Sequence, residues 1–276
     1  VWVMDTELRE PRQITNTPEE ESEPVWSGAA LVFLSGKGGQ EDIWQAERAD
    51  AKKYWWQNDQ FNLKKLTNDA ATEYNLTLSP DGGQFGYLKE RGDFWVMDAN
   101  GTHARRVFKN WSPPEYDWSP DGKWIVYAVS DNDFNRDIWL RPIDGSRKPF
   151  NLSRHPDNEF SPRWSPDGTT LLFSIFRCPD RDIAMLRADS PPRPKNWGIR
   201  DRTVVPDSLQ VFPDSLAIPA ADTSGFKLLL ATDADERDPY WLPDGSGYLF
   251  ASDVTGVFNL YRHDLATEKV VQLTNV

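Results

Sequence analysis

The sequence predicts an all-β fold: a six-bladed β-propeller of four-stranded antiparallel blades with a terminal half blade, a seventh blade being the alternative count. Three observations carry this. The stretch Trp118-Ser119-Pro120-Asp121-Gly122 recurs as Trp164-Ser165-Pro166-Asp167-Gly168, and with one change each as Leu78-Ser79-Pro80-Asp81-Gly82 and Trp241-Leu242-Pro243-Asp244-Gly245. A β-rich run follows the turn, as in Trp124-Ile125-Val126-Tyr127, Leu171-Leu172-Phe173 and Tyr248-Leu249-Phe250. Pro80, Pro120 and Pro166 are spaced 40 and then 46 residues apart, which is the repeat length of a propeller blade.

The turn has its chemistry in the right order. Serine opens it, proline presets φ, aspartate bonds its own backbone and glycine closes it. The run after it is apolar at nearly every position, as in Ile125-Val126-Tyr127-Ala128-Val129. A strand wetted on one face would alternate; this one is covered on both. Asn100-Gly101 and Asp144-Gly145 then mark tight hairpins. Blades end on Leu66-Thr67-Asn68, Leu152-Ser153-Arg154 and Leu273-Thr274-Asn275.

Taken in order, Val1-Trp2-Val3-Met4-Asp5 copies the third strand Phe94-Trp95-Val96-Met97-Asp98, so residues 1–16 read as a half blade. Whole blades follow at 23–69, 73–110, 115–155, 159–233 and 236–276. The first has Trp26-Ser27-Gly28 for its turn and an insertion around Tyr54-Trp55-Trp56. Pro166 and Pro243 are 77 residues apart, nearly two periods. We read one blade with an insertion over 190–222, its fourth strand at Phe226 to Leu230; a degenerate blade with a strand at Leu216-Ala217-Ile218 is the rival. An open half blade would leave unpaired edges, so the native polypeptide is expected to be longer.

Composition narrows the function classes. With 13 Trp and 13% aromatics the chain suits many short strands. A net charge of −12 argues against nucleic acid, whose binders cluster Lys and Arg. Cys178 is the single cysteine, so no internal disulfide forms, and no apolar run is long enough for a transmembrane helix.

At the Ser-Pro-Asp-Gly turns, the third strands of the type Asp137-Ile138-Trp139 and the Leu-Thr-Asn blade ends, the chain resembles the TolB-like propellers. The run Phe250-Ala251-Ser252-Asp253 through Gly256-Val257-Phe258-Asn259-Leu260-Tyr261 is similar to theirs. Residues 73–189 equally resemble the N-terminal propeller of tricorn-type peptidases, and related propellers precede the hydrolase domain of dipeptidyl-peptidase-like enzymes. The first resemblance implies a periplasmic or otherwise extracytoplasmic place, the second a cytoplasmic one.

The sequence carries no Gly-x-Ser-x-Gly elbow, phosphate loop or zinc pattern. His103, His155 and His263 read as solvent-facing positions at blade rims. Three patterns remain as candidate sites. Asp131, Asp133, Asn135 and Asp137 place oxygens at alternate positions, as calcium loops do; a polar hairpin loop explains them without metal. Glu23, Glu115 and Asp238 fall three residues before the blade's Trp, and Glu73 and Glu159 five before the equivalent position. On a regular strand all five face the same way and form an acidic channel mouth; the competing reading is that each acid caps its blade by bonding loop amides or a neighbouring Arg. Tyr54, Trp55 and Trp56 sit in an insertion, where they either bind a partner or cover the blade edge.

Two function classes follow, with a third behind them. The chain is a non-catalytic module binding a protein or peptide, or the gating propeller of a tricorn-type or prolyl-oligopeptidase-like peptidase whose catalytic domain lies outside it. The third is a sugar- or metal-handling enzyme working through the axial acids. The oligomeric state is left open.

Overall fold

Each Ser-Pro-Asp-Gly turn closes in the same way. In the computed structural model, which describes residues 1–7, 9–130, 135–153, 157–177, 179–188 and 227–276, the Gly122 N–H donates to Ser119 O at 2.8 Å and the Ser119 N–H to Trp124 O at 2.9 Å. The Ser119 hydroxyl donates to Asp121 Oδ1 at 2.6 Å and accepts the Trp124 N–H at 2.9 Å. Ser79 and Ser165 repeat this pattern. Leu242 keeps only the backbone bonds, and there Asp244 accepts from Ser246 instead.

These turns join the first two strands of antiparallel meanders. The chain divides into two compact units, Val1–Pro113 and Pro114–Val276. In the first, β1 (Trp2–Met4) and β2 (Pro11–Gln13) form a two-stranded sheet. It is followed by a sheet of β3 (Glu21–Ser27), β4 (Ala30–Ser35), β5 (Asp42–Arg48) and β6 (Phe61–Lys65), then one of β7 (Glu73–Leu78), β8 (Gln84–Lys89), β9 (Asp93–Asp98) and β10 (Arg105–Phe108). The second unit has three such sheets. They are β11 (Glu115–Trp118), β12 (Trp124–Ser130), β13 (Arg136–Pro142) and β14 (Phe150–Asn151); β15 (Asn158–Trp164), β16 (Thr170–Phe176), β17 (Arg181–Arg187) and β18 (Lys227–Leu230); and β19 (Glu236–Trp241), β20 (Gly247–Ser252), β21 (Asn259–Asp264) and β22 (Val270–Gln272). Strands pair in chain order in every sheet. The fourth strand expected at Phe226 to Leu230 is β18; the insertion over 190–222, with Leu216 to Ile218, lies outside the described residues.

The second strand of each sheet is the core. Every residue of β4 is buried, and Ile125, Val126 and Ala128 of β12 are 0% exposed. Sheet packs on sheet within each unit. Val32, Leu34 and Ile43 meet Leu76, Phe85, Tyr87 and Met97, while Val126, Ile138 and Leu140 meet Trp164, Leu171 and Phe173. Burying one such side chain contributes about 1.5–3 kcal/mol, so a strand covered on both faces anchors its blade.

The first strand has a feature that alternation does not predict. Register shifts by one residue between Ser22 and Val25, Tyr74 and Thr77, Phe160 and Arg163, and Arg237 and Tyr240. In each bulge one residue takes a left-handed backbone: Glu23 (φ 50°), Asn75 (54°), Ser161 (49°) and Asp238 (50°). Strand β11 pairs without a shift.

Gly122 and Gly168 close their turns at φ 67° and 72°, where a β-branched side chain is strained. Gly122→Val and Gly168→Val should each cost about 1–3 kcal/mol, read as a fall in thermal midpoint, whereas Asn at either site should cost less. An unchanged midpoint in both valine variants contradicts the role given to the turn.

Candidate functional site

The bulge sorts the predicted acids into two classes. Glu73 and Glu159, five residues before the Trp position, are 0% exposed. Glu23 and Asp238, three before it, are exposed, and Glu115 is half-buried. The expectation that offsets of three and five share one face is therefore corrected, because the extra residue between them turns the strand.

The buried class stitches blades together. The Thr67 hydroxyl accepts the Ile43 N–H at 2.9 Å and donates to Glu73 Oε2 at 3.2 Å. Ser153 accepts the Ile138 N–H at 2.9 Å and donates to Glu159 Oε2 at 2.7 Å. Thr15 donates to Glu21, and Thr232 to Glu236 Oε1 at 2.5 Å. At Thr67 and Ser153 the blade-ending hydroxyl thus links its own third strand to the first strand of the next blade. Glu21 and Glu236 were missed as members of this set, although each lies five residues before a Trp, as Glu159 does. Pro113 holds that place before Trp118.

The exposed class also works between blades. Glu23 accepts the Leu76 N–H at 2.5 Å. Glu115 accepts the Ser161 N–H and pairs with Arg136 at 3.2 Å. The Ser161 hydroxyl donates to Asp238 Oδ1 at 2.8 Å, so Ser161 draws Glu115 and Asp238 together.

The insertion splits its three aromatics. Trp55 is 8% exposed, edge-on to Trp26 at 5.0 Å and stacked on Phe61 at 5.5 Å. Tyr54, 61% exposed, lies flat on Trp56, with ring centroids 4.7 Å apart and planes at 3°. Asn58, buried, fixes the loop: its amide donates to the carbonyls of Asp50, Lys53 and Tyr54 and accepts the Asp50 N–H. Arg12 holds the Trp56 carbonyl at 3.2 Å.

Known proteins share this architecture. A putative TolB from Agrobacterium tumefaciens superposes with a TM-score of 0.64 at 20% identity, over 98% of this chain and 86% of that one. The fold is that of a TolB-like β-propeller. Tricorn protease superposes on this propeller with a TM-score of 0.61 at 13% identity, over 90% of this chain and 26% of its own. In sequence, a tricorn protease homolog of Saccharolobus solfataricus is 29% identical over 116 residues, 41% of this chain and 11% of that protein. The chain thus spans about a tenth of the length of that relative. No protein-family model matches the chain.

Other candidates in the propeller fall as follows. Asp131 and Asp133 of the calcium pattern lie outside the described residues, as do His155 and Cys178. Asp137 is buried, and its two oxygens accept amide donors from Asn135 at 3.2 Å and Asn151 at 2.5 Å. His103 is exposed beside Asp98, 2.6 Å away. His263 corrects the expectation of a solvent-facing rim: it is 4% exposed, its ring 4.9 Å from Tyr248, and burial holds its pKa below the ordinary value. Among the described residues, no helix is long and apolar enough to cross a membrane.

Burial pushes the Glu236 carboxyl up from 4.5 to about 7, and the charges of Asp182, Asp235 and Asp253 push the same way. Glu159 is raised well above the ordinary carboxylate range by burial, with Asp137 and Asp157 adding to it. The unfolded chain ionises these groups near 4.5 while the fold keeps them protonated. The contribution of Glu236 to stability is therefore complete below about pH 4.5 and is lost as pH rises through about 7; that of Glu159 falls in the same direction. Glu236→Gln should flatten that decline when thermal midpoints are followed from about pH 4.5 to 8.5; parallel curves for variant and parent contradict it. Thr67→Val leaves the Ile43 N–H without its hydroxyl acceptor and Glu73 Oε2 without its hydroxyl donor. It should cost about 1–3 kcal/mol in urea unfolding, with Thr67→Ser close to the parent; equal stability of all three removes the stitch.

Proposed function

We propose that this chain is a non-catalytic module that binds a protein or peptide through the aromatic insertion on its first blade. The observation that carries this reading is the Tyr54–Trp56 pair. Two large rings are stacked at 3° on a loop pinned by a buried asparagine. Trp55 fills the blade core and Trp56 packs half-buried against it, so Tyr54 is the ring left exposed on their outer side. Rigid, outward aromatics supply contact area at low entropic cost, which is why they anchor interfaces. The five predicted acids support the same reading, because each is engaged between strands or blades: Glu23 and Glu73 in one unit, Glu115, Glu159 and Asp238 in the other. An extracytoplasmic place goes with this reading.

The gating propeller of a peptidase is the second reading, favoured by the local match of 116 residues to the tricorn protease homolog. It would go with a cytoplasmic place and with a source polypeptide much heavier than these 276 residues.

A displayed-peptide library selected on the immobilised chain tests the first reading. Selected peptides should bind Tyr54→Ala and Trp56→Ala variants at least about tenfold more weakly, with the thermal midpoint of the Tyr54→Ala variant unchanged. Equal binding by both folded variants, or no enrichment at all, overturns it.

A further inference from the structure

Blade-to-blade comparison within the chain exposes one stitch that is built differently. In the β7–β8 pairing Glu73 stands opposite Lys89. Lys89 is 4% exposed, and its ammonium lies 2.9 Å from Glu73 Oε1 and also bonds Asp69. The rings of Tyr87 and Trp95 are 5.6 and 4.8 Å from that nitrogen. This blade therefore carries its own ammonium, held by two carboxylates against aromatic faces.

In the β19–β20 pairing the same place opposite Glu236 is taken by Ser252. Glu236 is 1% exposed, and among the described residues its Oε2 has no hydrogen-bond partner. A buried carboxyl oxygen left unpaired is costly. Beside it opens a cleft of 600 Å³ lined by Arg177, Pro179, Asp180, Asp182, Ala231, Thr232 and Asp233. Thr232 is the shared wall: it lines the cleft and its hydroxyl reaches back to Glu236 at 2.5 Å. Asp182, 7% exposed, is countered by Arg177 only at 3.4 Å, and that arginine side chain is 45% exposed. Three aspartates thus meet one half-exposed arginine, in front of a glutamate that lacks the cation its counterpart has.

We infer that this cleft receives the ammonium group of a lysine side chain from a bound peptide, the guest taking the role that Lys89 plays beside Glu73. The inference rests on the peptide-binding reading above and gives it a partner chemistry. The guest ammonium replaces Arg177 at Asp182, bonds Asp233 at the mouth and balances the Glu236 carboxyl behind Thr232. Among the described residues no group of three His, Cys, Asp or Glu is placed to hold a metal ion, so a singly charged group with three N–H donors fits the lining better than a divalent cation.

The test is calorimetric titration of the full chain with N-acetyl-Gly-Lys-Gly-amide and with its Nε-acetyl-lysine counterpart. The lysine peptide should bind, and acetylation should weaken it at least about tenfold. Asp182→Asn should weaken it by a similar factor. Ser252→Lys, which installs in this blade the lysine of the other, should abolish binding; Asp182→Asn keeps the test decisive should Ser252→Lys fail to fold. Equal binding of the acetylated peptide, no binding of the lysine peptide at millimolar concentration, or indifference to Asp182→Asn overturns the inference. Should the lysine peptide fail while library-selected peptides still depend on Tyr54, only the lysine assignment falls. Loss of the Tyr54 dependence as well removes the binding reading itself.

Discussion

One hydroxyl–carboxylate contact holds successive blades together. A sheet can satisfy its own backbone, but nothing in a sheet tells it where the next one belongs. That information lies in the blade-ending Thr or Ser, which receives a backbone N–H from its own third strand and passes a hydrogen bond to a glutamate of the next first strand. Both ends are buried, so the contact is made where water cannot substitute for it, and a misplaced sheet would strand a carboxyl in the core. Apolar packing supplies most of the cohesion between sheets, while the stitch fixes their register.

Much of this was legible in the sequence because it is local. The Ser-Pro-Asp-Gly turn makes its bonds within six residues, and strand β12 follows from an unbroken apolar run. The two paired strands within residues 1–16 and the strand at Lys227–Leu230 followed from repetition of the same signals. What was not legible depends on a partner far along the chain or on a break in periodicity. The bulge at Glu23 and Asp238 breaks the two-residue period by one left-handed residue, so a parity argument put buried and exposed acids on one face. With the offset held fixed at five from the Trp, Glu21 and Glu236 would have been read with Glu73 and Glu159. His263 was misplaced for a related reason: its burial comes from Tyr248 on the neighbouring strand, which no local pattern announces.

The aromatic insertion shows the same division within three residues. Trp55 turns into the core with Phe33, Leu31 and Ala46, and Trp56 packs half-buried against that cluster, whereas Tyr54 stacks on the outer face of Trp56. Composition marks the tripeptide as unusual but does not tell the anchor from the presented pair. That distinction is made by Asn58, whose four hydrogen bonds set the course of the loop.

The bulge has a consequence for how such a chain can diversify. Two residues apart on the first strand, one position is glutamate in four sheets, while the other is Glu, Asn, Ser or Asp in the same four. The single left-handed residue separates mortar from lettering. The glutamate position keeps one residue type in all four, whereas the bulge position, exposed at Glu23 and Asp238 but buried at Ser161, changes its residue and its bonds to the next blade from sheet to sheet. A scaffold arranged this way can acquire a new inscription along one edge while every joint beneath it stays the same.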